Sequence, residues 1–136
     1  MFLEDDVDVH RNLDDEHQIR QAAENDFETF VKLVLPLRVL GHCHGEVMRW
    51  LQDEETKKHK LLLFPRDHQK SFIAGAYAAS RITKYPAIRI LYISATSTLA
   101  AKQLHLIKSI ITSDIYRRYW PEMVNVDEGK RKKWTN

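Results

Sequence analysis

A lysine followed by a hydroxyl residue, Lys70-Ser71, closes the short polar run Phe64-Pro65-Arg66-Asp67-His68-Gln69. Lysine brings a mobile positive charge and serine an oxygen, the side-chain types that a triphosphate and its Mg²⁺ require. A helix opening at Ser71 would add the unused N–H groups of its first turn and the positive end of its dipole. Set against G-x-x-x-x-G-K-[ST], the run keeps Lys70 and Ser71 but has Phe64 and Gln69 at the two glycine positions. The competing reading is a serine that only caps a helix.

The flanking residues supply the context for such a loop. Leu61-Leu62-Leu63-Phe64 is a short apolar run, read as a strand buried on both faces. Ser71 to Lys84 reads as a helix rich in small residues (Ala74, Gly75, Ala76, Ala78, Ala79), able to lie close on a sheet, and Tyr85-Pro86 stops it. A second strand, Ile88 to Ile93, leads through Ser94-Ala95-Thr96 into a helix from Thr98 to about Thr112, with Ala100, Leu104, Ile107 and Ile111 as its apolar stripe. The expected order is β-α-β-α, a partial parallel α/β sheet of the P-loop NTPase type. Before it, Ile19 to Leu35 shows helical spacing starting near Asp14, and His44 to Glu54 suggests a shorter helix. The expected divisions are an acidic, mobile tail over 1–13, a helical lead-in over 14–58 and an incomplete ATPase core over 59–136.

These two loops at their mutual spacing resemble the ATPase domain of tailed-bacteriophage terminase large subunits. The resemblance rests on Leu63 to Phe72, on Ile90 to Thr96 and on Ala100-Ala101-Lys102-Gln103, and covers roughly Val31 to Trp134. It implies an ATP-driven motor that packages double-stranded DNA into a procapsid, working with ATP and Mg²⁺ as a homo-oligomeric ring on the portal, with a small terminase subunit as a further partner. It places the nucleotide on Pro65, Arg66, Asp67, His68, Gln69, Lys70 and Ser71, with Ser71 toward Mg²⁺ through its hydroxyl. Arg66 becomes the loop arginine that approaches the γ-phosphate, a role suited to a planar guanidinium. Ser94, Ala95 and Thr96 become the loop relaying nucleotide state to DNA-gripping surfaces; the plain alternative is a strand-to-helix turn capped by Ser97 or Thr98. An adenine contact is sought among His44, Met48 and Trp50. The acidic Asp67 departs from the family pattern and works against a triphosphate.

Charge suits a polyanionic partner such as DNA or a nucleotide, with ordinary solvated Lys and Arg on helix surfaces as the plain alternative. Residues 1–28 hold 10 acidic and 2 basic residues, and residues 29–136 hold 9 acidic and 19 basic, leaving a body of about +10. The end, Lys130 to Asn136, is basic with Trp134, suited to a phosphate backbone but also to a solvated tail. No apolar run approaches a membrane span and the acidic start lacks a signal-peptide pattern, so the expected place is the cytoplasm of an infected or lysogenic bacterial host. The one cysteine, Cys43, excludes an internal disulfide, and the adjacent His42-Cys43-His44 cannot converge on one zinc ion. No apolar run ending in paired acids follows Thr96, so the second acidic motif of phosphoryl transfer and the family's nuclease domain are missing. The expectation is a fragment or the product of an interrupted gene, with inefficient turnover. Two alternatives stay open: part of a helicase-like DNA translocase, or a non-catalytic α/β binding module.

Overall fold

The computed structural model describes residues 4–53 and 59–123, with side chains from Asp14 onward. Six helices follow one another among the described residues: α1 (Glu4–Asn25), α2 (Phe27–Val34), α3 (His42–Gln52), α4 (Lys70–Lys84), α5 (Ser97–Ile111) and α6 (Asp114–Tyr119), with a 3₁₀ turn over Pro121–Met123. The basic run from Lys130 lies outside the described residues.

Helix α1 reaches back to Glu4, through residues expected to be a tail, and it stops at Asn25 rather than running on to Leu35. The break is chemical. Asp26 leaves the helical region and its carboxylate accepts the Thr29 N–H at 2.8 Å, starting α2 afresh. The side chain of Gln52, at the end of α3, fixes the corner. Its oxygen accepts the Phe27 N–H at 2.7 Å and its amide donates to the Asn25 carbonyl.

The core is where α2, α4 and α6 meet. Phe30, Val31, Met48, Ile73, Ala76, Ala79, Tyr116 and Trp120 are all fully buried, the larger of them contributing about 1.5–3 kcal/mol each through burial. The Tyr116 and Trp120 rings stack at 4.9 Å between centroids, and Phe30 lies 5.7 Å from Trp120. One polar pair is enclosed: Thr83 donates to the Ala79 carbonyl, so its oxygen accepts the Tyr116 hydroxyl at 2.8 Å. Burial pushes the Tyr116 phenol above its ordinary range, against the opposing effect of the Thr83 bond.

The expected α/β parallel sheet is not formed: the described residues are helical and contain no strand. Leu61–Phe64 and Ile88–Ile93 are neither helical nor paired, and Leu61, Leu63, Leu91 and Ile93 stand 77–84% exposed. A continuous apolar run marks a segment suited to burial on two faces, but a strand also needs a neighbour, and that is a non-local property. The small residues of α4 accordingly serve helix–helix packing. Gly75 lies so close to α5 that an added Cβ would sit 2.8 Å from a Leu106 methyl. The buried face of α5 carries Ile107 and Ile110, whereas Leu104 of the expected stripe is 52% exposed.

Candidate phosphate-binding loop

Helix α4 begins at Lys70, one residue before the expected start. Its N-cap, Gln69, adopts left-handed backbone angles (φ 55°, ψ 21°) and makes no side-chain capping bond. Asp67 is also left-handed, at φ 64°. Such angles are unfavourable for residues bearing a Cβ, at about 1–2 kcal/mol each, and asparagine and aspartate tolerate them better than most. Gln69 occupies the position where the glycine pattern has its second glycine, and it takes the backbone shape that a glycine would supply.

Helices α2, α5 and α6 each have an N-cap side chain that accepts a backbone N–H: Asp26, Thr96 and Ser113. In α4 the first intrahelical bond is Ile73 N–H to the Gln69 carbonyl at 2.9 Å, so the N–H groups of Lys70, Ser71 and Phe72 precede the ladder. Pro65, Arg66, Asp67, Gln69, Lys70, Ser71 and Phe72 line a cavity of about 370 Å³ beside this uncapped turn.

Within the loop, Lys70 folds back so that its ammonium lies 3.4 Å from the Phe64 carbonyl, closing the loop end to end. His68 Nδ1 donates to the Arg66 carbonyl at 2.8 Å, since a carbonyl can only accept. The Arg66 and Ser71 side chains are exposed. Gln69 Nε2 donates to the Val39 carbonyl at 3.1 Å, while its oxygen is buried without a partner among the described residues. For Mg²⁺, Ser71 offers one hydroxyl oxygen, which fits an ion that takes its remaining ligands from phosphate and water. Among the described residues no group of three or more His, Cys, Asp or Glu could hold a metal ion.

The other expected positions fall elsewhere. Thr96 caps α5, accepting the Leu99 N–H at 3.3 Å, so the cap is neither Ser97 nor Thr98. Ser94 is half-buried and Ala95 exposed. Among the described residues no hydrogen bond or ion pair joins Ser94, Ala95 or Thr96 to Pro65–Ser71. Met48 is fully buried in the core. Trp50 is half-buried, with the Lys60 ammonium 5.4 Å from its ring. His44 is buried behind Phe64, with ring centroids 6.2 Å apart. Its Nδ1 accepts the Gly41 N–H at 2.9 Å, and its Nε2 has no partner among the described residues. None of these three lines the cavity at the loop. His42 instead lies 3.6 Å from Glu46.

Sequence reasoning overlooked one charge pattern. Between Asp67 and Asp114 the chain holds no carboxylate at all, while Lys70, Arg81, Lys84, Arg89, Lys102 and Lys108 fall in that interval. The signal was present in the sequence and needed only counting from acid to acid.

No family model, curated protein or solved structure matches this chain. Among the described residues no helix is long and apolar enough to cross a membrane.

Proposed function

We propose that the loop Pro65–Ser71 at the start of α4 binds the phosphate chain of Mg-ATP. The observation that carries this reading is the uncapped first turn of α4 with Lys70 and Ser71 at its mouth, beside a cavity of about 370 Å³. Three N–H groups, a helix dipole and an ammonium converge there, and each favours an anion. Lys70 rests on a carbonyl and has only to swing off Phe64 to meet a phosphate oxygen.

On this reading the class is a nucleotide-binding unit of a DNA motor. More particularly, the loop and its spacing to Ser94-Ala95-Thr96 resemble terminase large subunits, so we propose a piece of the motor that packages viral DNA into a procapsid. Arg66 then meets the γ-phosphate, Ser71 supplies an oxygen to Mg²⁺, and the acid-free interval from His68 to Ser113 suits double-stranded DNA. The portal and the small terminase subunit, in a phage-infected bacterial cytoplasm, are the partners that go with this assignment. A second reading is favoured by the helical fold itself: a module that holds a phosphate group without turning it over.

Calorimetric titration with Mg-ATP tests the site. The unaltered chain is expected to bind, and Lys70→Ala to lose measurable affinity while its melting temperature stays unchanged, because Lys70 is exposed. Equal affinity in both proteins, or no binding by the unaltered chain, would remove the phosphate-loop reading.

A further inference from the structure

The connection between α2 and α3 is drawn onto the loop by two separate contacts. Gln69 Nε2 holds the Val39 carbonyl at 3.1 Å, and the guanidinium of Arg38 lies 4.3 Å from the centroid of the Phe72 ring. Phe72 follows Ser71 directly and lines the same cavity as Lys70. We infer that Arg38 is a further cationic contact for the phosphate chain, beside Lys70 and Arg66, delivered to the loop from the α2–α3 connection and aimed by stacking on Phe72. The inference rests on the loop being a phosphate site.

Its first support is hydrogen-bonding capacity. Arg38 is exposed, and among the described residues no carboxylate pairs with it and no hydrogen bond engages its guanidinium. A guanidinium lying over an aromatic face keeps its N–H donors directed outward along its edge, the geometry that suits bidentate capture of phosphate oxygens. An exposed arginine ordinarily loses rotamer freedom when held, and the stack on Phe72 has already restricted this one.

The second support is charge. Within Pro65–Ser71 Asp67 offsets one of the two cations, Arg66 and Lys70, so the loop brings little net positive charge to a triphosphate. A further cation offsets the repulsion from Asp67, which sits in the loop itself. Arg38 itself lines a neighbouring cavity of about 470 Å³ with Leu35, Pro36, Leu37 and Ile115, and it is Phe72 that joins it to the loop cavity.

The test titrates the unaltered chain, Arg38→Gln and Lys70→Ala with Mg-ATP and, separately, with inorganic tripolyphosphate. Arg38→Gln is expected to weaken both ligands roughly tenfold, the size of one charge-assisted hydrogen bond. The deficit should shrink as salt rises toward about 0.5 M, because screening weakens ionic contacts. Arg38→Lys should fall between the other two, and it serves as the measured variant if Arg38→Gln does not fold. Unchanged affinity, a loss confined to Mg-ATP, or a deficit indifferent to salt would each overturn the inference, the last marking a packing effect on Phe72. Loss with Lys70→Ala but not with Arg38→Gln would sink the Arg38 contact and leave the loop standing. Failure of the unaltered chain to bind tripolyphosphate would sink both.

Discussion

The two ends of α4 are built on different terms. Near its C-terminal half, Thr83, Tyr116, Trp120 and Phe30 form a closed set in which rings touch rings and hydroxyls meet partners. Trp120 Nε1 donates to Glu24 at 2.7 Å, and Arg20 bonds to Glu24, Glu122 and the Tyr119 carbonyl, tying α1 to the end of α6. Arg118 adds a further ion pair with Glu16. Near its N-terminus the same helix starts without a cap, after two left-handed residues, with exposed charges and a buried amide oxygen that has no partner among the described residues. One end satisfies its own groups, and the other leaves them available. Stability is concentrated where a ligand could not reach, and the groups able to meet a ligand contribute little to stability.

The largest effect should come from attacking the closed end. Trp120→Ala removes a fully buried ring and the indole N–H that Glu24 accepts, leaving Glu24 with Arg20, and about 3–5 kcal/mol of stability should go with it. For a chain of this size that corresponds to a fall in Tm of about 10–20 °C, measured by thermal circular dichroism. A fall of only a degree or two would erase the contrast between the ends.

A smaller effect sharpens the comparison from the loop side. Asp67→Gly relieves a left-handed aspartate but loosens the unfolded chain, and the two changes should nearly cancel, within about 0.5 kcal/mol. The same substitution removes a negative charge beside the cavity proposed for phosphate, so Mg-ATP affinity should rise severalfold by calorimetry. A destabilisation of about 2 kcal/mol or more would instead place Asp67 among the groups that hold the fold together.

The smallest effect concerns the ionic tie of α1 to the 3₁₀ turn. Burial pushes the Glu122 carboxyl up, but its own backbone N–H, the Arg20 hydrogen bond and the Arg20 charge together hold it below the usual carboxylate range. A depressed folded-state value contributes stability above the unfolded pKa, and that contribution is lost as pH falls through the folded value. The side chain is 51% exposed, so screening limits the contribution to about 0.5 kcal/mol. Glu122→Gln should therefore be slightly less stable than the unaltered chain at pH 7, with the gap closing in urea melts well below pH 4. A gap that persists in acid would exclude the ion pair as its source.

How much could be read beforehand follows the range of each signal. The helix ending at Tyr85-Pro86 was legible because proline constrains its immediate neighbour, and the start of α4 was legible to within one residue. The pair Lys70-Ser71, on which the proposed phosphate site rests, stood in the sequence, and the structure sets it at the uncapped start of α4. The break at Asp26 was missed although Asp26 and Thr29 stood at capping distance, because the apolar spacing across the break stays helical. The sheet was misread because Leu61–Phe64 and Ile88–Ile93 have strand-like composition, and composition says nothing about which neighbour accepts their backbone bonds. Arg38 was invisible, since only the folded α2–α3 connection brings it to Phe72.

The Gln52 side chain that spans the α1–α2 corner has a consequence for the order of assembly. Its partners lie 25 and 27 positions earlier in the chain, so the corner is set by a residue that must first be brought back through a closed loop. Loop closure precedes its reward, and α3 must dock before the angle between α1 and α2 has its second tether. Asp26 alone permits a bend, while the amide of Gln52 fixes its direction. A local elbow is thereby tied to a residue well beyond it in the chain, and the heading of the acidic first helix in the folded protein depends on α3 being docked.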